Sequence, residues 1–450
     1  MLTLRQAAGF CGGTVLPEYA DVRFTGAQTD SRLIRPGELF VALKGARDGH
    51  EFAAAAIEKG AAAVLGERQL PGVPMIVAAD SRLALGAIAA GWRGLLKARV
   101  VAITGSVGKT TTKEMTASVL ETTFRTQKTQ KNFNNDLGLP MTVLGVTPDC
   151  EAAVTELGMN HFGEISYLTA IARPDAAVVT NIGTMHIENL GSREGILKAK
   201  LEILEGLRSG GTVFFNGDEP LLRAAPVTPR PIFFGLGADN DVRAEDIVTA
   251  DDETRFTVKA GEDSFTVMLP LEGEHNVCDA LAAIAVGLRF GVTPERIAAA
   301  LASFRNTGER QNIYTQAGVT VISDCYNAGP ESMAAALSVL RRRSCPGRRI
   351  AVLGDMLELG AHADAAHTRV GALAAQSADR VFAYGPHAAL LAAGDRAQTF
   401  ETHEALARAL ADYAEPGDTL LFKGSHGMHM ERALALFFRE YEQKRTEGAQ

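Results

Sequence analysis

The segment of this 450-residue chain best equipped for chemistry is Thr104-Gly105-Ser106-Val107-Gly108-Lys109-Thr110-Thr111. A compact β-branched run, 99–103, precedes it, and a helical pattern ending near Thr122 follows. A glycine-rich turn between strand and helix aims backbone N–H groups at an anion, and the helix dipole adds favourable potential. Lys109 then suits the β- and γ-phosphates of a nucleotide, and the Thr110 hydroxyl suits magnesium. The general phosphate-loop pattern has a glycine five residues before Gly108, where this chain has Ile103, so the motif is the variant TGxxGKTT.

Magnesium prefers oxygen ligands. Glu156 closes the strand-like run Ala152-Ala153-Val154-Thr155, and strand ends are where ligands gather in an open α/β sheet. On its own, a glutamate there is more often a helix cap or salt-bridge partner. His186 follows another strand-like run, 176–180, in Asn181-Ile182-Gly183-Thr184-Met185-His186; a loop histidine alone is usually solvated. Lys200 lies on a helical stretch, Lys198-Ala199-Lys200-Leu201-Glu202-Ile203, and by itself reads as a surface lysine with i,i+4 partners.

The elements that must position these residues fall into three stretches. Residues 1–97 carry short apolar runs, the turn Arg35-Pro36-Gly37, a strand at 39–43 and alanine-rich helices near 51–60 and 81–96. Residues 98–306 alternate strand (99–103, 152–155, 176–180, 211–215) with helix, which predicts a parallel sheet, and 241–269 reads as a hairpin attached to it. From 307 to 450 the alternation restarts, with strands at 319–322, 350–353, 380–384 and 419–422 and a frayed tail at 443–450. The expected fold class is α/β in three domains: a small N-terminal unit, a central phosphate-loop domain and a Rossmann-like C-terminal domain. Composition is that of a soluble globular protein, 46% hydrophobic and 22% charged, with net charge -8. Acidic and basic residues are interspersed and no basic stripe is present, which argues against a nucleic-acid partner. Cys11, Cys150, Cys278, Cys325 and Cys345 form no CxxC pair, so reduced thiols are expected. The first residues lack a signal-peptide core and no apolar run is long enough for a membrane span. A cytoplasmic location is the expectation.

Over essentially its whole length the chain resembles the Mur ligases. Thr29-Asp30-Ser31-Arg32, Arg35-Pro36-Gly37-Glu38-Leu39-Phe40 and Asp48-Gly49-His50-Glu51-Phe52 resemble the family's UDP-sugar-binding domain, with Ser31 a substrate contact. Residues 104–112 resemble its ATP loop, in which Gly105, Ser106, Val107, Gly108, Lys109, Thr110 and Thr111 hold the nucleotide. Lys131-Asn132-Phe133-Asn134-Asn135-Asp136 resembles its substrate-contacting segment, bringing in Asn134 and Asn135. His275-Asn276 with Asp279-Ala280-Leu281 matches the adenine-contacting segment, and Asp324-Cys325-Tyr326-Asn327-Ala328 the motif whose aspartate meets the ribose. Leu353-Gly354-Asp355-Met356 and Lys423-Gly424-Ser425 add Asp355 and Lys423 as substrate contacts. The chain departs from the family's usual residues at Gly329 and at His426, where the family has asparagine and arginine.

The resemblance is strongest to the type that adds D-alanyl-D-alanine to UDP-N-acetylmuramoyl-tripeptide in peptidoglycan precursor synthesis, through an acyl phosphate. It implies catalytic roles for Lys109, Glu156, His186 and Lys200, and two magnesium ions held by Thr110, Glu156, His186 and Lys200, the last as a CO2-derived carbamate. A monomer is expected, and the need to keep water from the acyl phosphate calls for closure about a hinge near 305–312, bringing Arg310 to the nucleotide. The third residue of the tripeptide, lysine or diaminopimelate, stays open. A ligase adding that third residue is the nearest rival; its diaminopimelate-selecting type resembles Asp-Asn-Pro-Arg at the amino-acid pocket, a tetrapeptide this chain lacks. Folylpolyglutamate synthase has no need of the 29–32 segment. A regulatory nucleotide-binding protein would not need Glu156, His186 and Lys200 together.

Overall fold

The computed structural model describes residues 1–306 and 310–447. Strand Arg99–Thr104 is an interior strand of a nine-stranded sheet, between Ala176–Val179 and Ala152–Glu156, and runs parallel to both. Its residues after Arg99 are all buried, as a strand covered on both faces requires. The period-2 alternation divides them. Val101 and Ile103 pack with Met115, Val119, Val277 and Leu281 of helices Lys109–Glu121 and Glu274–Phe290. Val100 and Ala102 face the opposite side, with Ile165, Leu168 and Ile203. Thr126–Lys128 closes one edge, and Thr212–Asn216 and Ile232–Gly235 extend the sheet the other way.

Val242–Ala250 still runs parallel to Ile232–Gly235, and beyond it the sheet turns antiparallel. The expected hairpin is a three-stranded meander, Val242–Ala250, Glu253–Ala260 and Asp263–Leu269. Its first strand escaped the sequence reading because charged residues (Glu245, Asp246) interrupt its pattern on an exposed face.

The N-terminal sheet is a short parallel one ordered Ala27–Gln28, Leu39–Val41, Ala63–Gly66 and Met75–Val77. Helix Ser81–Leu95 joins this unit to the central domain. Asp80 caps it, accepting from the N–H groups of Arg82 and Leu83. Near its end Trp92 donates to the Val146 carbonyl at 3.0 Å and Arg93 to that of Ala172 at 2.8 Å, so buried polar contacts cross the junction.

The C-terminal sheet is ordered Asn312–Gln316, Val319–Asp324, Thr419–Lys423, Arg349–Gly354, Arg380–Tyr384 and Ala397–Phe400, parallel except for the first strand. The tail expected to fray is helical through Glu447, part of Met430–Glu447, which buries Phe437 and Tyr441. Residues 448–450 lie outside the described residues, as do 307–309 within the expected hinge. All five cysteines are free thiols. Among the described residues no helix is long and apolar enough to cross a membrane.

Candidate functional site

Gly105 (φ 153°) and Gly108 (φ 83°) let the 104–111 loop turn back on itself. A Cβ on Gly108 would collide with Asp279 Oδ1, and one on Gly105 with Thr180 Oγ1, so backbone conformation and space both call for glycine. The next strand end braces the loop. Asn181 Oδ1 accepts from Val107 N–H at 3.0 Å, Thr180 Oγ1 donates to the Val107 carbonyl at 2.6 Å, and Ser106 Oγ accepts from Gly183 N–H at 2.9 Å. Lys109 folds over the loop, its Nζ donating to the carbonyls of Gly105 (2.8 Å) and Ser106 (3.2 Å). Burial brings its ammonium down to about 8; the Glu156 carboxylate opposes that shift and Arg310 adds to it.

Hard oxygen donors gather at the helix end of the loop. Thr110 Oγ1 donates to Glu156 Oε2 at 2.8 Å, and Asn134 Nδ2 to Glu156 Oε1 at 2.8 Å. Glu156 is 2% exposed, with its own N–H directed at Thr129 Oγ1. His186 adopts φ 62°, and its Nδ1 stands 2.5 Å from Glu358 Oε2 of the C-terminal domain. Lys200 is 2% exposed, and among the described residues no hydrogen bond or ion pair reaches its Nζ. Burial pushes its ammonium well below the usual range, and the charge of Lys109 adds to the shift. A buried amine without a partner gains nothing from carrying a lone ammonium charge there.

The C-terminal domain supplies the other wall. Lys423 Nζ donates to Asp324 Oδ2 at 2.6 Å and to the Asn327 carbonyl at 2.9 Å. The Arg310 guanidinium lies 4.2 Å from the centroid of the Tyr326 ring. Asn276 Nδ2 donates to the Glu272 carbonyl and to Gln311 Oε1, both at 2.8 Å. Thr184 Oγ1 donates to Glu331 across the domain boundary at 3.1 Å. Together with residues 106–111, Asn134, Asn135, Glu156 and His186, the side chains of Asn276, Arg310, Gln311, Asp324, Tyr326, Asn327, Glu331 and Lys423 line a cleft of about 1090 Å³. That volume is at the top of the range for small-molecule sites, roughly 300–1,000 Å³, and has room for a nucleotide and more.

Three Mur ligase family models match the chain in order: the Mur ligase family catalytic domain over 23–92, the middle domain over 103–287 and the glutamate ligase domain over 309–426. The UDP-N-acetylmuramoyl-tripeptide–D-alanyl-D-alanine ligase of Bacillus subtilis (strain 168) is 42% identical, the match covering 95% of this chain and 96% of that one. Its Escherichia coli (strain K12) counterpart is 40% identical over 96% and 97%. The crystal structure of MurF from Acinetobacter baumannii superposes with a TM-score of 0.89 at 34% identity, covering 97% of this chain and 98% of that one. MurF of Thermotoga maritima in complex with ADP gives 0.84 at 31%, covering 94% and 99%. The chain belongs to the MurF family of Mur ligases.

In this MurF-family chain the cleft gathers Lys109, Thr110, Glu156, His186, Asn134, Asn135, Asn276, Arg310, Asp324, Tyr326, Asn327 and Lys423. Four residues singled out in the sequence are not among its lining side chains. Two of them are Gly105 and Lys200, whose ammonium feels the charge of Lys109. Ser31 is on the N-terminal domain. Asp355 is fully buried, its carboxylate accepting from His387 N–H and from His387 Nδ1 at 2.8 Å, so it has no free face for a substrate. Arg310 already faces the cleft in this arrangement of the domains. At the departure from the MurF pattern at Gly329, a Cβ would lie 2.9 Å from Met185 Cγ; the methionine fills the place of the missing side chain. At the other departure, the His426 ring rests 5.9 Å from the Tyr326 ring, centroid to centroid.

The sequence reading missed Asp279 as a loop partner. Its Oδ1 accepts from Thr112 Oγ1 at 2.9 Å, and burial pushes its carboxyl up to about 7, against the pull of Thr112 and Arg310. Its i+3 spacing from Asn276 on one helix face was the available signal.

Proposed function

We propose that the chain joins D-alanyl-D-alanine to UDP-N-acetylmuramoyl-tripeptide at the expense of ATP, through an acyl phosphate. The observation that carries this is the run of contacts Thr110–Glu156–Asn134, which ties the phosphate loop to the 131–136 segment of the acceptor side. A carboxylate laid against Asn134 and Asn135 would stand at the phosphate end of the nucleotide.

The loop N–H groups bind the triphosphate, and Lys109 exchanges its two carbonyl contacts for phosphate oxygens, where the anionic environment favours its charged form. A carboxylate oxygen of the tripeptide attacks the γ-phosphorus and ADP leaves. The dipeptide amine then adds to the acyl carbon, the tetrahedral intermediate collapses, and inorganic phosphate departs. Catalysis here is mainly positioning and charge stabilisation. Thr110, Glu156, His186 and Lys200, the last as a carbamate, would hold two magnesium ions, which would neutralise charge at the transferring group. Asn276 faces the adenine, and Asp324, held by Lys423, the ribose. Tyr326, Asn327 and Arg310 complete that wall. Opening about 305–312 admits substrates, and closure excludes water from the acyl phosphate. The strand ranges of the three sheets support domain limits at 97/98 and 306/307. The location is the cytoplasm and the working form a monomer.

The test is phosphate release with each substrate omitted in turn. The ligase reading requires ATP, UDP-N-acetylmuramoyl-tripeptide and D-alanyl-D-alanine together. Release with UDP-N-acetylmuramoyl-dipeptide and a free third amino acid instead would assign the chain to the rival step.

A further inference from the structure

Arg82, Asp136 and Tyr167 meet where the N-terminal domain adjoins the central one, and all three line the cleft. Arg82 Nη1 pairs with Asp136 Oδ2, yet the two side chains remain 50% and 37% exposed. The Tyr167 hydroxyl is buried beside them against Gly86 and has no hydrogen-bond partner among the described residues. Its phenol is pushed up by burial and then by the carboxylates of Asp136 and Asp80. Leu83 and Phe162, 60% and 46% exposed, are large apolar side chains lining the same cleft.

An ion pair so open to solvent contributes little as a fastener between domains, and this junction is already held by the buried contacts of Trp92 and Arg93. An orphaned buried hydroxyl in a cleft calls for a ligand group. Asp136 follows Asn134 by two residues, about 7 Å of chain, so the site lies one side chain's reach from the reacting carboxylate. We infer that Arg82 and Asp136 form the subsite for the far end of the acceptor's third side chain. This subsite selects an aliphatic side chain ending in both an ammonium and a carboxylate, as in diaminopimelate, over one ending in an ammonium alone, as in lysine. The inference rests on the ligase reading above.

Recognition is an exchange of ion-pair partners. The ligand carboxylate takes the guanidinium of Arg82 and the ligand ammonium takes the carboxylate of Asp136. Tyr167 donates its free O–H to the carboxylate, and Leu83 and Phe162 cover the methylene stem. A side chain with only an ammonium would have to separate Arg82 from Asp136 and leave the guanidinium unpaired beside its own positive end.

The experiment compares UDP-N-acetylmuramoyl-tripeptides carrying diaminopimelate or lysine as third residue, with ATP and D-alanyl-D-alanine saturating. The wild-type full chain is expected to favour diaminopimelate in kcat/KM by about tenfold or more, the worth of one charge-assisted contact. Arg82→Gln brings that ratio close to one through KM, and Arg82→Glu reverses it. An unchanged ratio in both variants overturns the subsite. Equal loss on both acceptors together with a lowered thermal midpoint also overturns it, because that is how a domain fastener behaves. A wild-type chain that releases phosphate with neither acceptor overturns the ligase reading, and the subsite with it.

Discussion

Alanine at position 108 puts the phosphate loop to its most direct structural test. Gly108 has φ 83°, and holding an L-residue there costs about 1–2 kcal/mol. The new methyl would also enter the space of Asp279 Oδ1. Displacing that oxygen breaks its 2.9 Å bond from Thr112 and leaves a buried hydroxyl unpaired, about 1–3 kcal/mol. The free variant relaxes away from this geometry, and nucleotide binding must restore it, so about 2–5 kcal/mol is charged against affinity. At about 1.4 kcal/mol per tenfold, that is roughly 30- to 3000-fold weaker binding. Calorimetric titration with ADP or a non-hydrolysable ATP analogue measures it. The double variant Gly108→Ala/Asp279→Ala separates the two contributions: it regains the steric share and not the backbone share. A single variant that binds within threefold of wild type would show that the loop tolerates a side chain at 108.

Other substitutions probe the remaining parts. Lys200→Ala abolishes ligation, and short carboxylic acids added to the assay restore part of it; full activity without them removes the carbamate. Burial holds Asp279 at about 7 against an ordinary 3.8, so its contribution to stability is complete below about pH 4 and is lost as pH rises through about 7. The stability advantage of nucleotide-free Asp279→Asn over wild type therefore grows between those values and levels off above them; thermal melts at a series of pH values check this, and a constant gap contradicts it. Asp324→Asn leaves the buried Lys423 ammonium without its ion-pair partner. The expected stability loss is near the low end of roughly 3–5 kcal/mol, because Asp324 faces the cleft, and KM for ATP rises. Denaturant melts and ATP titrations read the two effects.

The phosphate loop and the central parallel sheet were legible because buried β-branched runs and glycine spacing are local signals. The meander's first strand was not, since a half-exposed strand that carries Glu245 and Asp246 loses its alternation. Nor were the short strands Ala27–Gln28 and Asn312–Gln316, whose pairing depends on neighbours distant in sequence. At the site, residue types pointed to Lys109 and Thr110, while Glu156 alone read as a cap or salt-bridge partner and Lys200 as a surface lysine. Only tertiary packing buries it. Asp355 shows the opposite failure: its motif suggested a ligand contact, but the fold spends its carboxylate on His387. The part of Asp279 in the loop, and Arg82 altogether, went unread because their meaning lies in partners across the fold, at Thr112 and Asp136.

The central claim is that phosphate passes through the acceptor carboxylate. UDP-N-acetylmuramoyl-tripeptide labelled with ¹⁸O in its terminal carboxylate, turned over with ATP and D-alanyl-D-alanine, tests it by mass spectrometry of the released phosphate. One labelled oxygen in each phosphate is predicted. Phosphate free of label, formed while the peptide bond is made, would contradict the account.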